Sequence, residues 1–326
     1  MISKLKFIFF LILGLLILNW VYKFFAGPES INLILENKFK LFFLVFAHIP
    51  TLYFDSLAWV VFMTKKKLSL ANAFIITWIA QTSGKFFPTG NITGEFVRIY
   101  LAKKSGQETS EASSTVLADL FIATLTLFTI GLLSFFYILS INSSKILNDN
   151  YLYFIFSLFI IFLACLLFFI VMRKRLISNI ITKLLVKFSF KFKKNNIDGL
   201  KRLDLILYRL SFEKKIIMKA FIFRILGWIA GAFEIYVFLL IIGIEATLID
   251  VILIESVTSI IKSLAFFIPA GLGVQEFAFV LIGEFVGFSG VISFSIAIGR
   301  RLREIMVGLP ALLTWYLLYT VRSKNL

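Results

Sequence analysis

The sequence predicts an all-α integral membrane protein, with about six full transmembrane helices plus two broken re-entrant helical hairpins related as an inverted repeat. Three observations lead there. Of its 326 residues, 60% are hydrophobic, 40 are Phe, and the mean hydropathy is +0.96. Soluble domains are roughly half apolar. The apolar residues gather into runs long enough to cross ~30 Å of hydrocarbon. Finally, the pattern Pro-x-Gly-x-x-x-x-Glu-Phe occurs twice, at Pro88–Phe96 and Pro269–Phe277, each time inside an apolar stretch.

Full spans are expected over 7–25, 39–63, 110–139, 151–172, 216–243 and 289–321. Lys4 and Lys6 before the first give it the look of a signal peptide, but no small-x-small cleavage site follows, so an uncleaved span is expected. The stretches 68–105 and 251–286 are apolar but interrupted by Pro and Gly near their middles, as in helices that enter and return. Such interruptions are tolerated at membrane depth only where protein or a cavity satisfies the freed backbone groups.

Charge orients these elements. The net charge is +16, and the segment 173–219 holds 14 Lys or Arg against three acidic residues. Beside membrane spans such a segment is cytoplasmic under the positive-inside rule, and nucleic acid is not its expected partner. Lys4, Lys6, Lys65–Lys67, Lys103, Lys104, Arg322 and Lys324 are assigned to the same side. The loop 140–150 and the acidic stretch 244–255 fall outside. Both termini are then cytoplasmic in a multi-pass protein. Within the basic segment, Leu176, Ile177, Ile180, Ile181, Leu184, Leu185 and Phe188 recur at helical spacing, with Lys183, Lys187, Lys191 and Lys194 largely off that stripe. This describes an amphipathic helix on the inner leaflet, drawn to anionic lipid; a plain connector is the competing reading.

The repeated motif has a physical rationale. Pro88 and Pro269 remove a backbone donor and stop the incoming helix. Gly90 and Gly271 permit the reversal. The outgoing half-helix would aim its amides at the tip, where an anion is welcome, and Gly273 would admit a headgroup closely. Phe86–Phe87 and Phe266–Phe267 precede the two tips. With the charge-derived topology the hairpins open to opposite sides. The chain then divides into repeat 1 (39–139), a connector (140–215) and repeat 2 (216–321), an architecture of alternating-access transporters.

Ionisable residues at membrane depth are costly and therefore informative. Asp55 and Glu234 precede the two hairpins, Lys85 and Lys262 precede the tips, and Glu95 and Glu276 follow them. Arg98 shares a helix face with Glu95. Asp119 lies 24 residues after Glu95 and Arg300 lies 24 after Glu276. Arg300, Arg301, Arg303 and Glu304 form RRLRE, in which Arg300 and Glu304 are spaced as an i,i+4 pair. The lipid-headgroup set is therefore Arg300, Arg301, Arg303, Glu276, Glu95, Arg98 and Asp119, with Asp119 or Glu276 as counter-charge to the arginines. The competing reading is a structural ion-pair network. Arg224 is expected to snorkel to the inner interface. His48, the only histidine, is expected to make a local hydrogen bond, a proton relay being the competing reading, and with one Cys (Cys165) the chain has neither a disulfide nor a multi-His metal site. No cofactor is implied.

The stretches FFIPAGLGVQEFAFVLIGEFVG (266–287) and GRRLREIMVGLPALLTW (299–315), with FFPTGNITGEFVRIYLAKKSG (86–106) and Asp119, resemble the lysylphosphatidylglycerol synthase transmembrane (flippase-like) family. Within it they look like the HpnL-type, hopanoid-associated branch. The resemblance implies lipid translocation or trafficking at the bacterial inner (plasma) membrane, with a membrane lipid, an anionic-headgroup lipid or a hopanoid, as partner. The aminoacyl-transfer domain of some relatives is not expected past Leu326. The function expected is thus a membrane lipid transporter and not an enzyme. The alternatives are a membrane-embedded lipid-modifying enzyme, against which stands the want of a nucleophile–base pair, and a scaffold for lipid biosynthesis.

Overall fold

A computed structural model describes residues 2–64, 68–87, 91–141, 150–187, 194–265 and 268–321. Pro88 and Gly90, Lys65–Lys67, the loop 142–149, Phe188, Lys191, Lys193, Phe266–Phe267, Arg322 and Lys324 lie outside the described residues. The described chain is helical throughout, without strands. In order it forms α1 (Ile2–Val21), α2 (Gly27–Glu36), α3 (Phe43–Val60), α4 (Leu70–Phe86), α5 (Asn91–Lys104), α6 (Thr109–Ile141), α7 (Asn150–Arg173), α8 (Ile177–Lys187), α9 (Lys194–Leu210), α10 (Lys214–Ile241), α11 (Leu248–Leu264), α12 (Val274–Phe285) and α13 (Gly290–Trp315).

Five stretches are long and apolar enough to cross a bilayer: Ile8–Glu36, Lys40–Val60, Thr109–Ile138, Ile155–Arg173 and Lys214–Ile241. The first runs from α1 through a π-helical turn (Tyr22–Ala26) into α2, further than the sequence suggests. Helix α13, at 26 residues, has the length to span but carries Arg300, Arg301, Arg303 and Glu304. Polarity is arranged inside out. Phe24, Phe39, Phe96, Leu133, Phe156 and Leu313 stand on the outer surface, while His48, Asp55, Arg98, Asp119, Glu234, Glu255, Glu276, Arg303 and Glu304 are buried. An apolar exterior on this scale is a surface for lipid, not water.

The two hairpins are built from α4–α5 and α11–α12, each closed on itself. Gly94 lets α5 approach α4, since a Cβ there would sit 2.6 Å from the carbonyl oxygen of Ala80. In the second hairpin the break is a 3-10 turn, Pro269–Gly271, with Ala270 and Gly271 at φ 55° and 61° and Gly273 at 76°. Left-handed backbone suits glycine and is unusual for Ala270.

The two helix series share a register. Glu276 minus Glu95 is 181 residues; at that offset Val60 falls on Ile241, Lys104 on Phe285 and Thr109 on Gly290, the matching ends of α3 and α10, α5 and α12, and α6 and α13. Helices α3 and α10 form the most extensive helix pair. His48 faces Glu234 while Asp55 faces Gly227, so one helix ascends as the other descends.

The basic connector forms two helices on the α6–α7 side. Asp204 of α9 caps α8, accepting from the Ile177 and Ser178 amides at 3.1 and 3.0 Å and from the Ser178 hydroxyl at 2.5 Å. Arg173 lies over the rings of Phe169 and Phe212, and Arg175 over Tyr208. Sequence reading placed α8 but did not resolve α9.

Candidate functional site

Two ion networks fill the interior. The first joins α3, α5, α6 and α10. Asp119, fully buried on α6, accepts from Arg98 Nη1 at 2.7 Å and from Arg224, whose Nε lies 3.1 Å from Oδ1 and whose Nη2 reaches Oδ2. Arg224 Nη1 also donates to Asp55 Oδ1 at 2.6 Å, and Gln81 Nε2 donates to the other oxygen of Asp55 at 2.6 Å. Glu95 lies 3.4 Å from Arg98, as their shared helix face implies. The Arg98 guanidinium rests over the Trp59 ring, whose indole N–H donates to Thr115.

The second network joins α3, α4 and α10–α13. Arg300 binds Glu255 through both terminal nitrogens, at 2.5 and 2.9 Å, the strong fork-to-carboxylate geometry. Arg301 Nε donates to Glu276 Oε1 at 2.8 Å, and its Nη1 to the carbonyl of Ala270 at 3.0 Å. The broken backbone thus has its carbonyl satisfied by a neighbouring helix, as membrane depth requires. Arg303 Nε donates to Glu234 Oε1 at 2.8 Å, and the other Glu234 oxygen lies 3.0 Å from His48 Nδ1. Glu304 is 3.4 Å from Arg301 and 3.7 Å from Lys85. Lys262 Nζ donates to Gln275 at 2.5 Å.

Several expectations change here. Arg224 does not snorkel: it is drawn inward because two buried carboxylates offer more than the interface does. His48 bonds across to α10 and not locally. Arg300 and Glu304 are not partners, because Glu255 of α11 takes the guanidinium and Glu304 turns to Arg301 and Lys85. Asp119 belongs to Arg98 and Arg224, while Glu276 is the counter-charge of Arg301. The opening amide of α12 is not aimed at an outside anion, since Gly273 N donates to Glu276 Oε2 at 2.8 Å. Gly273 itself admits α1: a Cβ would lie 2.8 Å from Ile17 Cβ and from Leu18 N. Gly271 packs on the Lys262 stem, with 3.2 Å between a Cβ there and Cε.

Of the residues singled out from sequence, the structure brings Glu95, Arg98 and Asp119 into one network and Glu276, Arg300, Arg301 and Arg303 into the other. Sequence reasoning had not assigned their partners Asp55, Arg224, Glu234, Glu255 and Gln81 to the site. The signal for them was an ionisable or amide residue inside an apolar run. Between α3, α4 and α13 lies a small cavity of about 10 Å³, lined by His48, Gln81, Thr82, Lys85, Arg303 and Glu304 among others.

A family model described as the lysylphosphatidylglycerol synthase TM region matches residues 7–311, which takes in both helix series and the connector. The chain belongs to this family. Membership, with five long apolar helices, makes it a multi-pass membrane protein of a lipid-related family. No curated protein and no solved structure matches it. In this member of the lysylphosphatidylglycerol synthase TM region family, every arginine of RRLRE is paired with a carboxylate from another helix: Arg300 with Glu255, Arg301 with Glu276 and Arg303 with Glu234.

Proposed function

We propose that the protein is a lipid transporter of the flippase type, not an enzyme, which moves a lipid between leaflets of the bacterial inner membrane. The observation that carries this reading is the second network: Arg301 ties the broken backbone at Ala270 to Glu276 at the start of α12, inside a protein whose surface is apolar. Charges on both sides of a helix break are poised to trade partners. In this reading the hairpins are re-entrant, and α3–α6 and α10–α13 are the inverted repeats. The offset of 181 residues and the opposed run of α3 and α10 support it.

The cycle exposes Arg300, Arg301 and Arg303 in turn as Glu255, Glu276 and Glu234 release them, and a headgroup phosphate takes the vacated position. Glu95, Arg98 and Asp119 serve as the opposed half of the site. A hopanoid, carrying hydroxyls in place of phosphate, would use the carboxylates instead. Both termini and the basic helices α8 and α9 lie at the cytoplasmic leaflet, where their cations meet anionic lipid.

The test is leaflet exchange in liposomes holding the full chain and labelled phospholipid or labelled hopanoid. Glu276→Gln removes the charge that holds Arg301 and slows exchange at least tenfold, about 1.4 kcal/mol. No exchange of any lipid class by folded wild-type protein overturns the proposal.

A further inference from the structure

The chain's single histidine sits inside the second network. His48 is buried on α3, and every ionisable group around it comes from another helix: Glu234 on α10, Arg303 and Glu304 on α13, and Lys85 on α4. Nδ1 lies 3.0 Å from Glu234 Oε2, and Nε2 lies 3.5 Å from Arg303 Nη1. A guanidinium only donates, so Nε2 must be the acceptor. The proton is then on Nδ1, donated to Glu234, and the imidazole is neutral in this conformation.

A second proton on Nε2 would set an N–H against the guanidinium. His48 can therefore become an imidazolium only if Arg303 withdraws, and Arg303 is fixed to α13 beside Arg300 and Arg301. A small cavity adjoins the pair. Its volume of about 10 Å³ is room for one water. Residues that donate (Lys85, Thr82, Arg303) and residues that can accept (Glu304, Gln81, His48) both line it, the mixture a bridging water uses. Lys85 is about a quarter exposed and lies 3.7 Å from Glu304, beyond direct hydrogen-bond reach.

We propose that His48 is a proton-binding site that couples proton movement to the transport cycle. A proton arriving through the cavity water adds to Nε2 while Nδ1–H keeps Glu234. Arg303 and the α13 segment that carries it move away, and the reverse shift returns the proton to water. Proton binding and the position of α13 are thus two readings of one equilibrium, each able to drive the other. The proposal rests on the transporter reading, and it supplies that reading with an energy source.

Two measurements test it. With one histidine in the chain, ¹⁵N-histidine labelling of the full protein in nanodiscs gives one imidazole to follow. A neutral Nδ1–H tautomer is expected near pH 7 and a doubly protonated form on acidification. An imidazole that stays neutral until the protein unfolds overturns the site. In proteoliposomes of phosphatidylethanolamine and fluorescent phosphatidylglycerol, one-to-one coupling turns a one-unit pH gradient into as much as a tenfold leaflet asymmetry of the probe. His48→Gln abolishes that asymmetry. Exchange by wild type that ignores the gradient overturns proton coupling and leaves the transporter intact. Absence of any lipid exchange alongside a titrating imidazole overturns the transporter and leaves the proton site.

Discussion

Replacing Asp119 with Asn tests whether the first network is a device of buried charge or an incidental contact. Asp119 is fully buried and is the common acceptor of Arg98 and Arg224. Asn keeps the shape and one acceptor but removes the charge. Arg224 retains Asp55 at 2.6 Å, whereas Arg98 is left with Glu95 at 3.4 Å. Breaking a buried ion pair by removing one partner costs about 3–5 kcal/mol, because the other charge stays buried and uncompensated. The variant is expected to lose that much in reversible unfolding in detergent micelles. Adding Arg224→Leu should not simply add its own loss: residues sharing a hydrogen-bond network couple by about 0.5–3 kcal/mol. A single variant within about 0.5 kcal/mol of wild type, the range of ordinary surface substitutions, would refute the reasoning. It would mean that water reaches Arg98 and Arg224 and screens them.

Three further outcomes follow from the same geometry. Gly273→Ala drives a methyl into α1 at Ile17 and Leu18 from a left-handed backbone, and is expected to destabilise by about 1–3 kcal/mol in the same unfolding assay. Arg300→Lys keeps the charge but loses the two-pronged hold on Glu255; leaflet exchange should fall although Lys is formally conservative, and wild-type exchange would show that charge alone suffices. Asp204→Ala removes the cap of α8 and is expected to cost about 1 kcal/mol, seen as faster hydrogen exchange at the first amides of α8, with the α3–α10 core unaffected.

The helices were legible because their signal is local. Apolar runs of membrane length, the Pro and Gly interruptions and the doubled motif are each visible in a few dozen residues, and the stretches read as hairpins became α4–α5 and α11–α12 to within a few residues. The charges were legible as unusual, but their partners were not. Arg300 and Glu304 are spaced one turn apart, yet Glu255, 45 residues away, takes the guanidinium. Arg224 near a basic stretch reads as an interface residue, and only the packing of α3, α6 and α10 places two carboxylates beside it. His48 finds Glu234 at a separation of 186 residues. Helix α9 was hidden by composition, since six charged residues among 17 mask an apolar face that packs on α6 and α7.

Apart from Arg300–Glu255, which stays within the second series, these long-range pairs cross between the two helix series. Asp55 and His48 on α3 are completed by Arg224 and Glu234 on α10. Lys85 on α4 is completed by Glu304 on α13. Within the first network, Asp55, Glu95 and Asp119 face Arg98 and Arg224, three carboxylates against two guanidiniums. In the second, Arg300, Arg301, Arg303, Lys85 and Lys262 face Glu234, Glu255, Glu276 and Glu304, one cation in excess. Gln81 touches both, donating to Asp55 while lining the cavity that holds Lys85. Each series thus carries charges that the other neutralises, and the two networks together balance. Sliding one series past the other without exchanging partners would strand ions in a medium that tolerates them poorly. In the proposed transport cycle, motion between the series is therefore restricted to steps in which one pairing replaces another, which gives discrete states in place of continuous drift.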